Sequence, residues 1–405
     1  MPPPTGPLDG VRVVDLTTVV MGPYATQLLA DDGADVIKVE PPGGDVMRLA
    51  GPMRSPGMGP VFLQLNRNKR GVVLDLKQRR GRDALLRLCE RADVLVHNVR
   101  PAALRRLQLS YEDVRAVNPR LVHVGLSGYG EDGPYAGRPA YDDLIQGISG
   151  VASLFARAGG GPPRFVPLTL ADRIVGISAV HTIVGALFLR ERTGQGQGVE
   201  VPMFETLAQL VLGDHMAGRT FDPPLDGPGY ARLLSPDRRP YPTRDGHLCV
   251  LLYNDKHWES FFRAIGRLEE FTADPRLNDH ATRTTHYDEV YALLAGILAT
   301  RTTAEWLSLL EACDVPCVPL QDLDALIDDP HLRATGFFQI VDHPTEGPLR
   351  LTGIPGRWSG LQRSIRRAPP LLGEHSVEVL REAGLTEADI ATLIAEGATV
   401  DGRRA

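Results

Sequence analysis

The sequence has little of what several common protein classes need. Only four cysteines occur in 405 residues (Cys89, Cys249, Cys313 and Cys317), too few and too scattered for a disulfide framework. No G-x-G-x-x-G follows the first predicted strand, and the chain has no P-loop, H-E-x-x-H or G-x-S-x-G motif. These absences argue against a nicotinamide enzyme, a P-loop nucleotidase, a metal enzyme and a serine hydrolase.

The charge balance and the first residues exclude further classes. The formal net charge is -6, so the chain has no global attraction to nucleic acid or to anionic lipid. The start "MPPPTGPLDG" has neither a basic nor an apolar leader region, and we therefore expect a cytoplasmic protein. With 43% hydrophobic and 23% charged residues, the composition is that of a soluble globular protein.

Apolar strands and helices alternate along the first 130 residues. This rhythm predicts an α/β fold with a mostly parallel, doubly wound sheet, whose ligands bind beyond the carboxyl ends of the strands. The predicted strands are 11–16, 34–40, 71–76, 93–99 and 120–127, and helices are predicted at 23–33, 81–92 and 101–117.

A shift in composition after residue 220 predicts a second, smaller α+β domain. We expect a large domain that begins with residues 1–200 and is completed by a C-terminal part, 331–405. Between them the sequence predicts a connecting helix and linker (201–225), the small domain (226–315) and a return linker (316–330).

One carboxylate stands beside the most apolar stretch of the chain. Residues 174–189 are apolar on every face, which favours a buried core helix over a membrane span, and Asp172 comes just before them. An aspartate there is most simply an N-cap. The helix dipole would also lower the pKa of that carboxyl and keep it ionised, as a nucleophile requires, while the first N–H groups of the helix could stabilise an oxyanion.

Two polar stretches have more than one interpretation. The segment Asn66–Arg70, together with Arg79, Arg80 and Arg82, could bind phosphates or could be a solvated charged face. Asp142 and Asp143 precede an apolar stretch and are either helix caps or acid catalysts.

Six stretches, in order from about residue 8 to residue 390, resemble the class III CoA-transferases, the CaiB/BaiF family. The resemblance implies an interlocked, ring-like homodimer with a Rossmann-like large domain, and CoA bound at the interface as an acyl-CoA substrate. The missing motifs and the charge balance described above predict no metal, no NAD, no nucleic acid and no membrane partner. The stretches are "VVDLTTVVMGPYATQLLADDGADVIKVEPPGGD", "LNRNKRGVVLDL", "ADVLVHNVRPAAL", "NPRLVHVGLSGYGEDGPYAGRPAYDDLIQGISG", "LADRIVGISAVHTIVGALFLRERTGQGQGVEV" and "PPLLGEHSVEVLREAG".

The resemblance also implies roles for individual residues. Asp172 falls at the position of the family's catalytic aspartate, which is acylated and then thioesterified to CoA. The other matching positions imply contacts to CoA or to the thioester site. They are Val20, Met21, Leu65, Asn66, Lys69, Asn98, Val99, Arg100, Arg106, Ala140, Tyr141 and Asp142.

Other functions stay open at this stage. Racemases of the same family have a histidine where this chain has Tyr141, and a tyrosine with a pKa near 10 is a poor base at neutral pH. Pro41 replaces an arginine of the formyl-CoA transferases, which argues against that specificity. A Rossmann-type oxidoreductase and a non-catalytic CoA-binding protein are further alternatives.

Arg232, Arg238 and Arg239 could hold a second carboxylate of a succinate-like acid, or could contact a partner subunit or solvent.

Overall fold

The computed structural model describes residues 4–403, and its internal contacts divide the chain into two compact units. The large unit comprises the chain up to Ser149, Val166–Gln209 and the chain from His331 onwards. The small unit comprises Gly150–Phe165 and Leu210–Pro330. The sequence-based division placed 150–165 in the large domain, whereas those residues belong to the small unit.

A parallel sheet of six strands forms the centre of the large unit. The strands are short and rich in Val, Ile and Leu, as expected for strands covered on both faces, and the predicted parallel sheet is confirmed. They are β1 (Arg12–Leu16), β2 (Asp35–Glu40), β3 (Lys69–Val73), β4 (Val94–His97), β5 (Val122–Ser127) and β6 (Gly198–Pro202), in the spatial order 3-2-1-4-5-6.

This strand order reverses direction between β1 and β4, and such a reversal opens a crevice at the carboxyl ends of the strands. Val14 pairs with Leu95 across the reversal. The loops that follow β1, β4 and β5 therefore meet at one edge of the sheet. These are the loops in which the sequence places most of the candidate contacts.

Helices and one hairpin surround this sheet. Two C-terminal helices join its hydrophobic core, where Val379 and Ile390 are buried with Val14 and Leu95. The helices are α1 (Met21–Asp31), α2 (Pro60–Leu65), α3 (Arg79–Cys89), α4 (Pro101–Arg106), α5 (Tyr111–Val117), α6 (Asp142–Ile148), and, further along the chain, Leu170–Thr193, Ser376–Glu382 and Glu387–Ala395. The antiparallel strands Phe338–His343 and Gly347–Thr352 form the hairpin, which the sequence analysis did not predict.

The small unit has its own core, built around Trp258, Phe261 and Trp306. Its helices are α7 (Val151–Gly159), Ala231–Leu234, Asp255–Ala264, Leu268–Ala273, Pro275–Asn278, His280–Thr284, Tyr287–Leu298, Thr303–Ala312 and Leu323–Ile327. An antiparallel sheet is formed by Tyr241–Pro242, His247–Val250 and Cys317–Pro319. The chain passes between the units at four points, and helices Met203–His215 and Pro330–Ala334 each contain one of them.

The apolar helix is longer than predicted and is buried on only one side. It runs from Leu170 to Thr193 and is called α8 here. Val175, Ala179 and Ile183 are fully buried, whereas Ile177 and Phe188 are 54% and 65% exposed. In the single chain, α8 therefore packs one face against the core and leaves the other exposed. Within the described part of the chain, α8 is the one helix long and apolar enough to cross a membrane, a test that core helices of soluble proteins also pass.

Candidate active site

Asp172 lies inside the first turn of α8 rather than ahead of it. The residue at the N-cap position is Thr169, and Asp172 is the third residue of the helix. Its backbone N–H donates to Oδ1 of Asp142, the first residue of α6, at 3.0 Å. Asp142 is thus a cap, but it caps the neighbouring helix, and the interpretation of Asp172 as an N-cap is wrong.

Gln146 holds this pair of aspartates in place. Its side chain is completely buried, and its Nε2 donates to Oδ2 of Asp142 at 2.6 Å. The same amide accepts from the backbone N–H of Val166 at 2.8 Å and donates to the carbonyl of Leu168 at 3.2 Å. One side chain therefore joins α6 to the segment that leads into α8 and orients Asp142 toward Asp172.

The carboxyl of Asp172 has an unusual pKa. Burial raises the pKa, the negative charge of Asp142 raises it further, and the nearby Arg173 only partly opposes them, so that it reaches about 7. The sequence analysis expected the helix dipole to lower this pKa, and that expectation is wrong. A group that titrates near neutrality, and is only 8% exposed, is typical of a functional site.

The N–H groups at the start of α8 are mostly occupied. Leu170 and Arg173 donate to the carbonyls of Leu168 and Thr169, and Asp172 donates to Asp142. The start of α1 differs, because Val20 supplies no side-chain cap. Among the described residues, the N–H groups of Met21 and Gly22 have no hydrogen-bond partner. Among the described residues, the first turn of α8 therefore keeps one free donor, the N–H of Ala171, whereas the first turn of α1 keeps two.

A glycine brings the two helices together. A Cβ at Gly176 would stand 2.9 Å from the carbonyl oxygen of Met21 and 3.1 Å from the Tyr24 ring. Gly176 lies one turn after Asp172, on the same side of α8. This close approach places the first turn of α8 beside the N-terminus of α1.

The loop between β1 and α1 is strained and firmly held. Val19 has a φ of 73°, a left-handed conformation that costs a β-branched residue of order 1–3 kcal/mol. Its N–H donates to Asp45, and the carboxylate of Asp45 also pairs with the buried Lys38. Asn98 exchanges two hydrogen bonds with the backbone of Thr18, at 3.1 and 3.0 Å. Strain that is supported by so many contacts is characteristic of functional loops.

A cavity of about 330 Å³ lies at the carboxyl ends of β1, β4 and β5. A neighbouring cavity of about 390 Å³ is lined by three arginines and Glu131, so its net charge favours an anion. The first cavity is lined by six of the predicted contacts: Met21, Asn98, Val99, Arg100, Ala140 and Tyr141. Arg100 and Arg106 both line the second, and Val20 and Asp142 adjoin residues that line the first.

The basic segment before β3 points inward, contrary to both sequence interpretations. Lys69 is completely buried, and its Nζ donates to Asp15, Asn66, Thr26 and the carbonyl of Pro23. Arg67 pairs with Asp31 at 2.7 Å and Arg70 pairs with Asp35 at 2.7 Å. The predicted CoA contacts at Leu65, Asn66 and Lys69 conflict with this burial, because each side chain is at most 1% exposed.

Sequence reasoning missed Gln146 and Val19, since neither residue type suggests chemistry by itself.

The described residues 4–403 contain no group of three or more histidine, cysteine or acidic side chains that could hold a metal ion. Arg232, Arg238 and Arg239 all lie in the small unit, where they line one cavity.

The family model for CoA-transferase family III matches residues 8–376. The chain belongs to this family. Among its CoA-transferase relatives, a succinyl-CoA:mesaconate CoA-transferase of Haloarcula hispanica is 34% identical over 393 residues, covering 94% of this chain and 97% of the relative. An acyl-CoA transferase of Fusarium pseudograminearum is 33% identical over 405 residues, covering 97% of this chain and 88% of the relative.

Solved structures of CoA-transferase relatives support the same assignment. A CAIB/BAIF family protein from Brucella suis superposes with a TM-score of 0.78 at 29% identity, covering 94% of this chain and 100% of that structure. Rv3272 from Mycobacterium tuberculosis superposes with a TM-score of 0.79 at 30% identity, covering 92% of this chain and 99% of that structure. This protein is accordingly an enzyme that uses CoA thioesters.

Proposed function

We propose that this CoA-transferase moves CoA from an acyl-CoA donor to a free carboxylic acid through a covalent intermediate on Asp172. The observation that carries the proposal is the pair of buried aspartates, one of which has a pKa of about 7. Above that pH the Asp172 carboxylate is mostly ionised while poorly solvated, which favours nucleophilic attack on a thioester carbonyl.

The reaction balances in four steps. The Asp172 carboxylate attacks the donor carbonyl, the C–S bond breaks, and CoA leaves as the thiolate while Asp172 and the acyl group form a mixed anhydride. The thiolate attacks the aspartyl carbonyl, which gives an aspartyl-CoA thioester and the free donor acid. The acceptor carboxylate then attacks that thioester. The thiolate is released again, and a second mixed anhydride forms between Asp172 and the acceptor. Finally, the thiolate attacks the acceptor's acyl carbonyl, which forms the new acyl-CoA and restores Asp172.

The surrounding residues have separate tasks in this scheme. The free N–H groups of Met21 and Gly22 can stabilise the oxyanion formed in each attack, and the strained loop at Val19 fixes their direction. Arg100 and Arg106 are exposed beside the cavities and suit the phosphates of CoA. Lys69 bonds Asp15 of β1 and the carbonyl of Pro23 in α1, on either side of this loop, and Leu65, Asn66 and Lys69 have no assigned contact with CoA.

We propose a dicarboxylic acid as one of the two acids. The named activities of several relatives support this choice, because mesaconate, glutarate and oxalate are all dicarboxylic acids. An assay with succinyl-CoA and a panel of mono- and dicarboxylic acids tests it. We expect the CoA thioesters of the dicarboxylic acids to form faster than those of the monocarboxylic acids. Equal rates of CoA transfer to matched mono- and dicarboxylic acids would contradict the proposal.

A second candidate function is an acyl-CoA racemase, and one observation favours it. A carboxyl with a pKa of about 7 also suits an acid-base catalyst. Incubation of an acyl-CoA in deuterated water, without acceptor acid, separates the two functions. Transfer through Asp172 predicts no α-deuterium in the recovered acyl-CoA, whereas racemisation predicts its incorporation.

We also propose the interlocked homodimer implied by the family resemblance. The exposed face of α8 supports it, since Ile177, Val184 and Phe188 are 41–65% exposed in the single chain. Large apolar side chains arranged along one helix face usually mark an interface. A dimer mass by light scattering is expected at micromolar concentration, and a monomer mass would contradict this assignment.

A further inference from the structure

The small unit contains a cavity of about 360 Å³ that the transfer scheme does not use. Five of the twelve residues that line it are aromatic, and Tyr287 and Tyr291 are stacked with ring centres 5.7 Å apart. Such walls can bury the apolar body of a small ligand. The aromatic residues that line the cavity are Tyr230, Tyr253, Trp258, Tyr287 and Tyr291.

Arg283 and Trp258, which line this cavity, have buried hydrogen-bond donors without a partner. Arg283 is only 4% exposed, and its Nη2 donates to Asp255 at 2.7 Å and to the carbonyl of Leu277 at 2.6 Å. Its Nε and Nη1, and the Nε1 of Trp258, have no partner. None of these three nitrogens can accept a hydrogen bond. All three nitrogens are enclosed by the wall itself, so Arg283 contributes positive charge to the cavity rather than hydrogen bonds to a ligand.

Arg232 supplies the accessible positive charge. It is half-buried, and its Nε donates to the Tyr291 hydroxyl at 3.1 Å. Its guanidinium carbon lies 5.7 Å from the centre of the Tyr253 ring. Within residues 4–403, its two Nη atoms have no hydrogen-bond partner. The orientation of Arg232 is thus fixed by its Nε, while the two Nη atoms stay available for a ligand.

The charges around the cavity leave a positive excess. Two guanidinium groups, Arg232 and Arg283, face one carboxylate, Asp255, and that carboxylate is already bonded to Arg283. His280 also lines the cavity and adds no negative charge. A neutral or cationic ligand would leave this excess uncompensated.

We propose that this cavity binds the anion of a small carboxylic acid with an apolar or aromatic body, about the size of benzoate. The carboxylate binds to the two Nη atoms of Arg232, Arg283 adds positive charge to the wall, and the tyrosines enclose the body of the acid. Asp172 belongs to the large unit and does not line this cavity, so the proposal does not rest on the transfer chemistry.

Calorimetric titration of the full-length protein with benzoate, and with the neutral isostere benzamide, tests the proposal. Saturable binding of benzoate and at least tenfold weaker binding of benzamide are expected. Benzoate should also change the tryptophan fluorescence of the wild-type protein, and Trp258→Phe should lose that change, because Trp306 and Trp358 do not line the cavity. Equal binding of acid and amide would overturn the proposal.

Variants locate the site. Arg232→Gln should weaken benzoate binding at least tenfold, as should Tyr253→Ala by removing one wall. Arg244→Gln is the matched control, since Arg244 is an exposed arginine of the same unit that pairs only with Glu305. Asp172→Asn should bind benzoate like the wild type, even if it has lost transfer. Unchanged affinity in Arg232→Gln, or lost affinity in Asp172→Asn, would overturn the assignment.

Discussion

Two buried carboxylates of the large unit, Asp15 and Asp172, have opposite surroundings. Burial alone would raise the pKa of Asp15, but Lys69, Lys38 and two threonine hydroxyls together hold it below the usual value. Asp172 has another carboxylate beside it, and its pKa rises to about 7. A buried carboxylate whose charge is neutralised stabilises the fold, whereas one placed beside a like charge is destabilising and indicates function.

Replacing Asp172 should have the largest effect on activity. Asp172→Asn removes the nucleophile, and we expect CoA transfer to fall by at least about 10⁴-fold. CoA affinity measured by calorimetry should change less than threefold, because Arg100 and Arg106 are untouched. Asp143→Asn, an exposed neighbour on α6, is the matched control and should retain activity. Full turnover by Asp172→Asn would contradict the role.

Replacing Lys69 should have the largest effect on stability. Lys69→Met removes the ion-pair partner of the buried Asp15 and leaves it with Lys38 and two threonine hydroxyls, at an expected cost of about 3–5 kcal/mol in the free energy of unfolding. Urea denaturation measures this loss. Arg79→Gln is the control, because Arg79 is 86% exposed and should change stability by less than about 0.5 kcal/mol. An equal loss of unfolding free energy in both variants would contradict the stabilising role given to the buried Lys69.

The two carboxylates should also differ in how they couple stability to pH. The folded-state pKa of Asp172 lies above its unfolded value, so its contribution is full below pH 4 and is lost as the pH rises toward 7. Asp172→Asn should therefore be more stable than the wild type at pH 8, by about 2–4 kcal/mol. At pH 4 the two proteins should match. Thermal unfolding at both pH values measures this, and a less stable variant at pH 8 would contradict the raised pKa.

The smallest expected effect concerns Gln146, the residue that orients Asp142. Gln146→Leu cannot bond Asp142, whose charge would then move away from Asp172. We expect the midpoint of the pH dependence of transfer to fall by about one unit, and the rate to fall about tenfold. A purely structural role would lower the rate at every pH and leave the midpoint unchanged.

The sequence was sufficient for the parts of the fold that depend on local patterns. The alternation of apolar runs predicted β1, β2, β4 and β5 within three residues at either end, and the all-apolar stretch located α8. The family resemblance pointed to Met21, Asn98 and Tyr141, which do line one cavity. Each of these predictions depends on neighbours in the chain or on a matched motif.

The parts that failed depend on contacts between distant residues. "LNRNKRG" has the pattern of an exposed basic loop, but its partners Asp15, Asp31 and Asp35 come from elements more than 30 residues away. The pKa of Asp172 likewise depends on Asp142, which precedes it by 30 residues. A local pattern shows that a charge is present, but not which charge lies opposite it once the sheet has formed.

Mass spectrometry of the peptide that contains Asp172, after mixing the protein with a small panel of acyl-CoAs, tests the central claim most directly. The account predicts an acyl or CoA adduct on Asp172 that hydroxylamine removes, and no adduct in Asp172→Asn. Turnover without any adduct on this peptide, together with α-deuterium in the recovered acyl-CoA, would contradict covalent transfer and would make Asp172 an acid-base residue instead.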